Sequence, residues 1–187
     1  MKAIETITGK VSVLDRDDVD TDQIIPKQFL KRIARTGFGE FLFFDWMKEP
    51  GWHLPPNPIL VSGANFGCGS SREHAAWALE DYGFQTVIAP SFGDIFRSNA
   101  TKIGLLPVQL TTEECRSIAE AGEAQVDLQA QEVRWPGATA SFEIDGEIKH
   151  RLLNGLDDIA VTLAEDSEAI EDYEGRRERP GPVTTAL

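Results

Sequence analysis

Apolar positions along the chain fall into short runs separated by helical spacings. Ile4, Val11 and Val13 lie in a stretch of strand character that ends at an acidic loop, residues 15–22. Pro26 opens a short helical pattern carrying Phe29, Leu30 and Ile33, with proline at a first-turn position. The segment GFGEFLFFDW, 37–46, is too aromatic to be solvated. Residues 58–61 read as a buried strand, followed by a glycine-rich turn at 63–69 and a helix over 71–82 that Gly83 ends. A second strand is expected at 86–89, a helix at 91–103, a third strand at 105–110, a helix at 112–121, and a β-hairpin region over 126–142. Strand–helix alternation implies a mostly parallel or mixed sheet with helices packed on it. The expected class is α/β with an added β-rich part.

Composition narrows the function classes. The 187 residues suit one domain, two at most. With 31 Asp+Glu against 18 Lys+Arg, the net charge of −13 argues against a phosphate-backbone binder or an anionic membrane partner, so neither nucleic acid nor membrane is expected. No apolar run is long enough to span a bilayer, and MKAIETITGK lacks the apolar core of a signal peptide, so the expectation is a soluble, cytoplasmic protein. Cys68 and Cys115 can form one disulfide at most. They cannot alone hold an iron–sulfur cluster or a structural zinc, which usually take three or four ligands, so no metal is expected on this chain. Seven acids against three arginines and a final RPGPVTTAL mark 165–187 as a solvated, largely disordered tail, leaving 1–164 as the folded domain.

The stretch GANFGCGSSREHAAWAL, 63–79, carries the candidate chemistry. It follows a buried strand and opens a helix, the geometry that aims backbone N–H groups at an anion. Gly63, Gly67 and Gly69 let the backbone approach a ligand closely, and Ser70 with Glu73 three residues later fits a capping box. No lysine precedes Ser70 as a phosphate-binding loop requires. Arg72 stands where a dinucleotide loop needs its third glycine, and Glu73 stands where a hydrolase elbow needs its last. Two serines and an arginine at a helix N-terminus suit a carboxylate: Arg72 offers a bidentate fork, and the same donors favour a serine alkoxide, making Ser70 a conceivable base. The plainer reading is that Ser70 only caps a helix and the glycines only make a tight turn.

Other residues carry smaller expectations. Cys68, between glycines, reads as a small packed residue, and His74 as a core or inter-helix hydrogen-bonding group. Asn99 can orient the Ser70 loop, Asp94 with Ser91 reads as a cap, and Phe38, Phe41, Phe43, Phe44 and Trp46 read as core plus subunit contact.

Three separated motifs, in order, carry a resemblance. Val-Asp-Thr-Asp-Gln-Ile-Ile-Pro at 19–26, Gly-Cys-Gly-Ser-Ser-Arg-Glu-His-Ala at 67–75 and Ser-Phe-Gly-Asp-Ile-Phe-Arg-Ser-Asn at 91–99 resemble the aconitase superfamily. With Arg-Thr-Gly-Phe-Gly at 35–39 and Phe-Asp-Trp at 44–46, the chain is most similar to the small subunits of bacterial 3-isopropylmalate dehydratases, from the first strand to about Leu163. The resemblance implies a swivelling β/β/α domain of the aconitase C-terminal type, three-layered with a mixed sheet, that closes over a large subunit. It also implies a [4Fe–4S] cluster on that partner, and interconversion of 2- and 3-isopropylmalate through 2-isopropylmaleate in leucine biosynthesis. By the same carry-over Ser70 is the catalytic base and Asp22 an active-site carboxylate, while Ser71, Arg72 and Thr21 bind the small dicarboxylate. Asp18 stands where relatives have asparagine and is expected on the rim. Substrate choice is expected from residues 29–38, where Leu30 and Ile33 suit an isopropyl group while Arg32 and Arg35 suit a further carboxylate. The sister hydro-lyases acting on citraconate, dimethylmalate or homoaconitate, and a non-catalytic regulator of a cluster protein, are the alternative functions.

Overall fold

The computed structural model describes residues 1–31 and 36–177. Seven strands form one mixed sheet in the order β4-β3-β2-β1-β5-β6-β7. Strand β1 (Thr6–Leu14) joins its two halves. Residues 11–14 pair in parallel with β2 (Ile59–Ser62), from Val11 opposite Ile59 to Leu14 opposite Ser62. Residues 6–10 pair antiparallel with β5 (Glu123–Asp127), from Thr6 opposite Asp127 to Lys10 opposite Glu123. The parallel half continues through β3 (Thr86–Ala89) to β4 (Leu106–Gln109). The antiparallel half continues through β6 (Glu132–Trp135) to β7 (Ala138–Ser141), which together form the expected β-rich part.

The short apolar runs of β2 and β3 are buried at every position, as parallel strands covered on both faces require. Their residues alternate between two cores. Leu60, Val87 and Ala89 pack with Ala75, Ala76 and Leu79 of α2 (Glu73–Tyr82) and with Phe96 and Ala100 of α3 (Asp94–Ile103). Phe38, Leu42 and Phe43 complete that core. Ile59, Val61 and Ile88 point the other way, to Cys115 and Ile118 of α4 (Thr112–Ala121). The result is the expected α/β class: a mixed sheet between two layers. The one polar side chain of β3, Thr86, spends its hydroxyl on the Leu106 carbonyl at 2.8 Å, so its burial leaves no unmade bond.

Several local expectations change. A one-turn helix, α1 (Thr21–Ile24), precedes Pro26, and a single 3-10 turn, Lys27–Phe29, follows it; Arg32, Ile33 and Arg35 lie outside the described residues. Ser70 does not cap α2. Its N-cap is Arg72, without a side-chain bond, while α1 carries a complete capping box between Asp20 and Gln23, and α4 another between Thr111 and Glu114. Asp94 and Ser91 do not cap α3, which starts after Gly93; the Ser91 hydroxyl accepts from the Asn65 N–H instead. Beyond the β-rich part stand α5 (Gly146–Asn154) and α6 (Asp158–Glu165), capped by Asp145 and Asp157. Of the stretch 165–187, read from its charge as a solvated, largely disordered tail, Glu165 ends α6, Ser167–Arg177 form α7, none of whose residues is buried, and 178–187 lie outside the described residues. Among the described residues no helix is long and apolar enough to cross a membrane.

Leu60 is fully buried in the α2–α3 core, whereas Tyr173 on α7 is 61% exposed. Leu60→Ala is therefore expected to cost roughly 2–5 kcal/mol and Tyr173→Ala less than about 0.5 kcal/mol, compared by urea unfolding of the two variants.

Candidate active site

The parallel half of the sheet does not stop at its last strand residues. Past β1, β2 and β3, three loops continue side by side. The Asp18 N–H donates to the Ala64 carbonyl at 2.9 Å, the Gly67 N–H to the Val19 carbonyl at 2.7 Å and the Thr21 N–H to the Cys68 carbonyl at 2.9 Å. On the other side the Phe66 N–H donates to Ser91 O at 3.0 Å and the Gly93 N–H to Phe66 O at 2.9 Å. Asp20 with Cys68 and Phe66 with Phe92 form parallel bridges. The three motifs singled out in the sequence thus form one hydrogen-bonded platform at the carboxyl ends of the strands, where open α/β sheets place their ligands.

Glycine is required in the middle of this platform. Gly67 has φ +74°, and a Cβ there would sit 2.2 Å from the Phe96 ring carbon Cγ. Gly69 has φ +90° and lies against Asp20 and Thr21. Asp18 and Asn65 also adopt positive φ, +52° and +58°, which Asp and Asn tolerate best among residues with a side chain. The Asn65 side-chain amide donates to Asp18 at 2.8 Å, and Asp18 is exposed on the rim, with an acceptor where asparagine would serve equally.

Thr21, expected to touch substrate, is instead a clamp. It is 2% exposed, and its hydroxyl donates to the Ser70 carbonyl at 3.0 Å while its N–H holds the Cys68 carbonyl. Both carbonyls flanking Gly69 are therefore fixed from α1. The hydroxyls of Ser70 and Ser71 are exposed, and neither has a hydrogen-bond partner among the described residues. A serine that merely capped α2 would be bonded to a helix N–H. Arg72 comes next. Its two Nη atoms donate to the two carboxylate oxygens of Asp22, Nη2 to Oδ2 at 2.8 Å. Asp22, expected as an active-site carboxylate, is thus placed on the arginine fork.

The electrostatics follow from these contacts. The hydrogen bonds from Arg72 hold the Asp22 carboxyl below its ordinary range, against a smaller opposing effect of burial. The pair's contribution is present above the ordinary carboxylate pKa and is lost only as pH falls through the lowered one. Burial pushes the Cys68 thiol up, helped by the charges of Asp20 and Asp18, and pushes Cys115 up to about 11. Cys115 sits in the α4 core and Cys68 on the 63–69 loop, and two thiols are fewer than the three or four ligands a cluster takes. Among the described residues no group of three or more His, Cys, Asp or Glu side chains could hold a metal ion. His74 packs edge-on to Phe38 at 5.2 Å and against Trp77 at 4.6 Å, and burial lowers its pKa, favouring the neutral ring. Asn99 is buried on α3 and makes no hydrogen bond to the Ser70 loop among the described residues. Of the aromatic cluster, Phe38 and Phe43 are core, while Phe41, Phe44 and Trp46 are half-buried.

Two clefts, of about 650 and 570 Å³, lie elsewhere; neither is lined by Ser70, Ser71, Arg72 or Asp22. Ser70, Ser71 and Asp22 are exposed, a setting suited to a site completed by a second chain.

Residues 47–113 match the family model of the aconitase C-terminal domain. The chain is 52% identical to the 3-isopropylmalate dehydratase small subunit of Halalkalibacterium halodurans, over 95% of this chain and 100% of that one. It is 49% identical to that of Rubrobacter xylanophilus, over 97% and 98% of the two chains. It is also similar to a crystal structure of 3-isopropylmalate dehydratase from Methanocaldococcus jannaschii, with TM-score 0.70 and 28% identity, covering 91% of this chain and 99% of that one.

Gly67→Ala must push a methyl group into Phe96 from a strained backbone. It is expected to lower stability by roughly 1–3 kcal/mol and to release the 63–69 loop, seen as faster amide hydrogen exchange at Gly67 and Thr21 than in the parent chain.

Proposed function

The chain belongs to the family of 3-isopropylmalate dehydratase small subunits, and we propose that it supplies the proton-transfer and carboxylate-binding half of an active site shared with a large subunit. The enzyme is a hydro-lyase that interconverts 2-isopropylmalate and 3-isopropylmalate. The observation that carries the site assignment is the pair of exposed serines, with hydroxyls unbonded among the described residues, beside a largely buried arginine, on a loop tied to its neighbours by backbone hydrogen bonds.

Ser70 is the base. It accepts the proton from the carbon next to the carbinol, that C–H electron pair becomes the carbon–carbon double bond, and the hydroxyl group departs with the electrons of its C–O bond. Rehydration adds the hydroxyl to the other carbon and returns the proton from Ser70 to the first, so atoms and charge balance over the isomerisation. A serine hydroxyl loses its proton reluctantly. The N-terminal dipole of α2 and the Arg72 guanidinium, both within the same few residues, favour the alkoxide. Arg72 and the Ser71 hydroxyl bind one substrate carboxylate, since a guanidinium fork matches a carboxylate in geometry as well as charge.

The acidic chain repels a dicarboxylate at long range, so binding depends on these local donors and on cations brought by the partner. Any iron–sulfur cluster belongs to the large subunit, because the two thiols here are too few to ligate one. Near the platform, Phe29 stacks on Phe41 at 4.1 Å and Leu30 is half-buried, an apolar border suited to an isopropyl group.

Ser70→Ala is expected to leave assembly with the large subunit intact by size-exclusion chromatography and to lower turnover of 2-isopropylmalate at least ~100-fold. Turnover within a few-fold of the parent enzyme would remove Ser70 from the base role.

A further inference from the structure

Asp22 and Arg72 lie 50 residues apart in sequence and meet in two side-chain hydrogen bonds. The two partners are unequal. The Arg72 side chain is 15% exposed, while Asp22 is 52% exposed. Asp22 rides on α1, which is itself fixed by the Asp20–Gln23 capping box and by the two bonds of Thr21 to the Ser70 loop. Arg72, by contrast, is the N-cap of α2 with extended backbone and no capping bond of its own. Its four-torsion side chain is therefore oriented by Asp22.

A guanidinium carries five N–H donors, and Asp22 engages two of them, one on each Nη. The remaining donors are enough for a second carboxylate, so the fork is held without being exhausted. We infer that Asp22 is a positioning residue: it fixes the plane of the Arg72 guanidinium so that the fork's unused donors meet the substrate carboxylate, and it takes no part in proton transfer. This rests on the assignment of Arg72 to substrate binding and extends it to the residue that orients the arginine.

The opposite effect is also physically available. Asp22 neutralises Arg72, so its removal could strengthen attraction for a dianion. Because Asp22 is half in water, that charge effect is screened, whereas loss of orientation is not. Positioning should win. Asparagine at position 22 keeps the shape but loses the second carboxylate oxygen and the charge, so the two-point hold is lost.

The test uses the enzyme assembled with its large subunit and steady-state kinetics with 2-isopropylmalate. Asp22→Asn is expected to raise KM roughly tenfold with kcat within about threefold of the parent. Asp22→Glu, which keeps a carboxylate, is expected to recover part of that loss. In an Arg72→Lys background, where no fork exists to orient, Asp22→Asn is expected to add less than about twofold. A loss of kcat at unchanged KM in Asp22→Asn would place Asp22 on the reacting atoms and overturn the inference, and a fall in KM would make it a competitor of substrate. Full additivity with Arg72→Lys would show that it acts independently of the arginine. An Arg72→Lys enzyme with unchanged KM would remove Arg72 from substrate binding, and the positioning role would fall with it; a raised KM there combined with additivity overturns positioning alone.

Discussion

Backbone hydrogen bonds beyond the ends of β1, β2 and β3 hold the candidate site together. Each joins a loop to its neighbour in the same parallel register that the strands establish. The sheet thus dictates where the loops sit, and the loops dictate where Ser70 and Arg72 stand. Neutral backbone bonds of this kind each contribute about 1 kcal/mol net, but leaving any of these groups unpaired would cost more. The glycines follow from the same packing: a Cβ at Gly93 would lie 2.6 Å from the Gly67 carbonyl oxygen, and one at Gly67 would run into the Phe96 side chain.

The platform divides labour by burial. Thr21, Val19 and Phe66, buried beneath, commit their polar groups to the neighbouring loops, while Ser70 and Ser71 stand exposed with hydroxyls uncommitted among the described residues. Hydroxyls in water are ordinary; the two beside a helix N-terminus and an arginine are the donors we propose for an anion. That Ser70, Ser71 and Asp22 are exposed fits a chain that works against a partner. A substrate there would be half in water until a second chain closes over it, and only then would its charges interact strongly.

Much of this is legible in the amino-acid sequence, and the limits have physical causes. The runs 59–61 and 86–89 are apolar because both faces are covered, and Gly83 ends α2 at positive φ, so pattern alone places those elements. The start of α2 is misjudged because Ser70 and Glu73 have capping-box spacing, yet tertiary bonds from Thr21 pull Ser70 away from the helix. The true capping box, Asp20 with Gln23, was readable from the same spacing rule. Helices α5 and α6 carry their own signals in Asp145, Asp157 and Gly155, outweighed by the β-like pattern before them and the charge run after. The motif resemblance singles out Ser70, Arg72 and Asp22 one by one. It does not say that Asp22 grips Arg72 or that Thr21 is a buried clamp, because contacts across some 50 residues depend on the register of the sheet.

The most direct test of the account is anaerobic. The chain is mixed with its cluster-reconstituted cognate large subunit, and the absorbance of the unsaturated acid formed from 2-isopropylmalate is followed, with citramalate and homocitrate as comparators. The account predicts turnover in the mixture alone, with 2-isopropylmalate the preferred acid. Turnover by the isolated chain, or none in a mixture whose cluster is intact, would contradict a catalytic site shared between this platform and its partner.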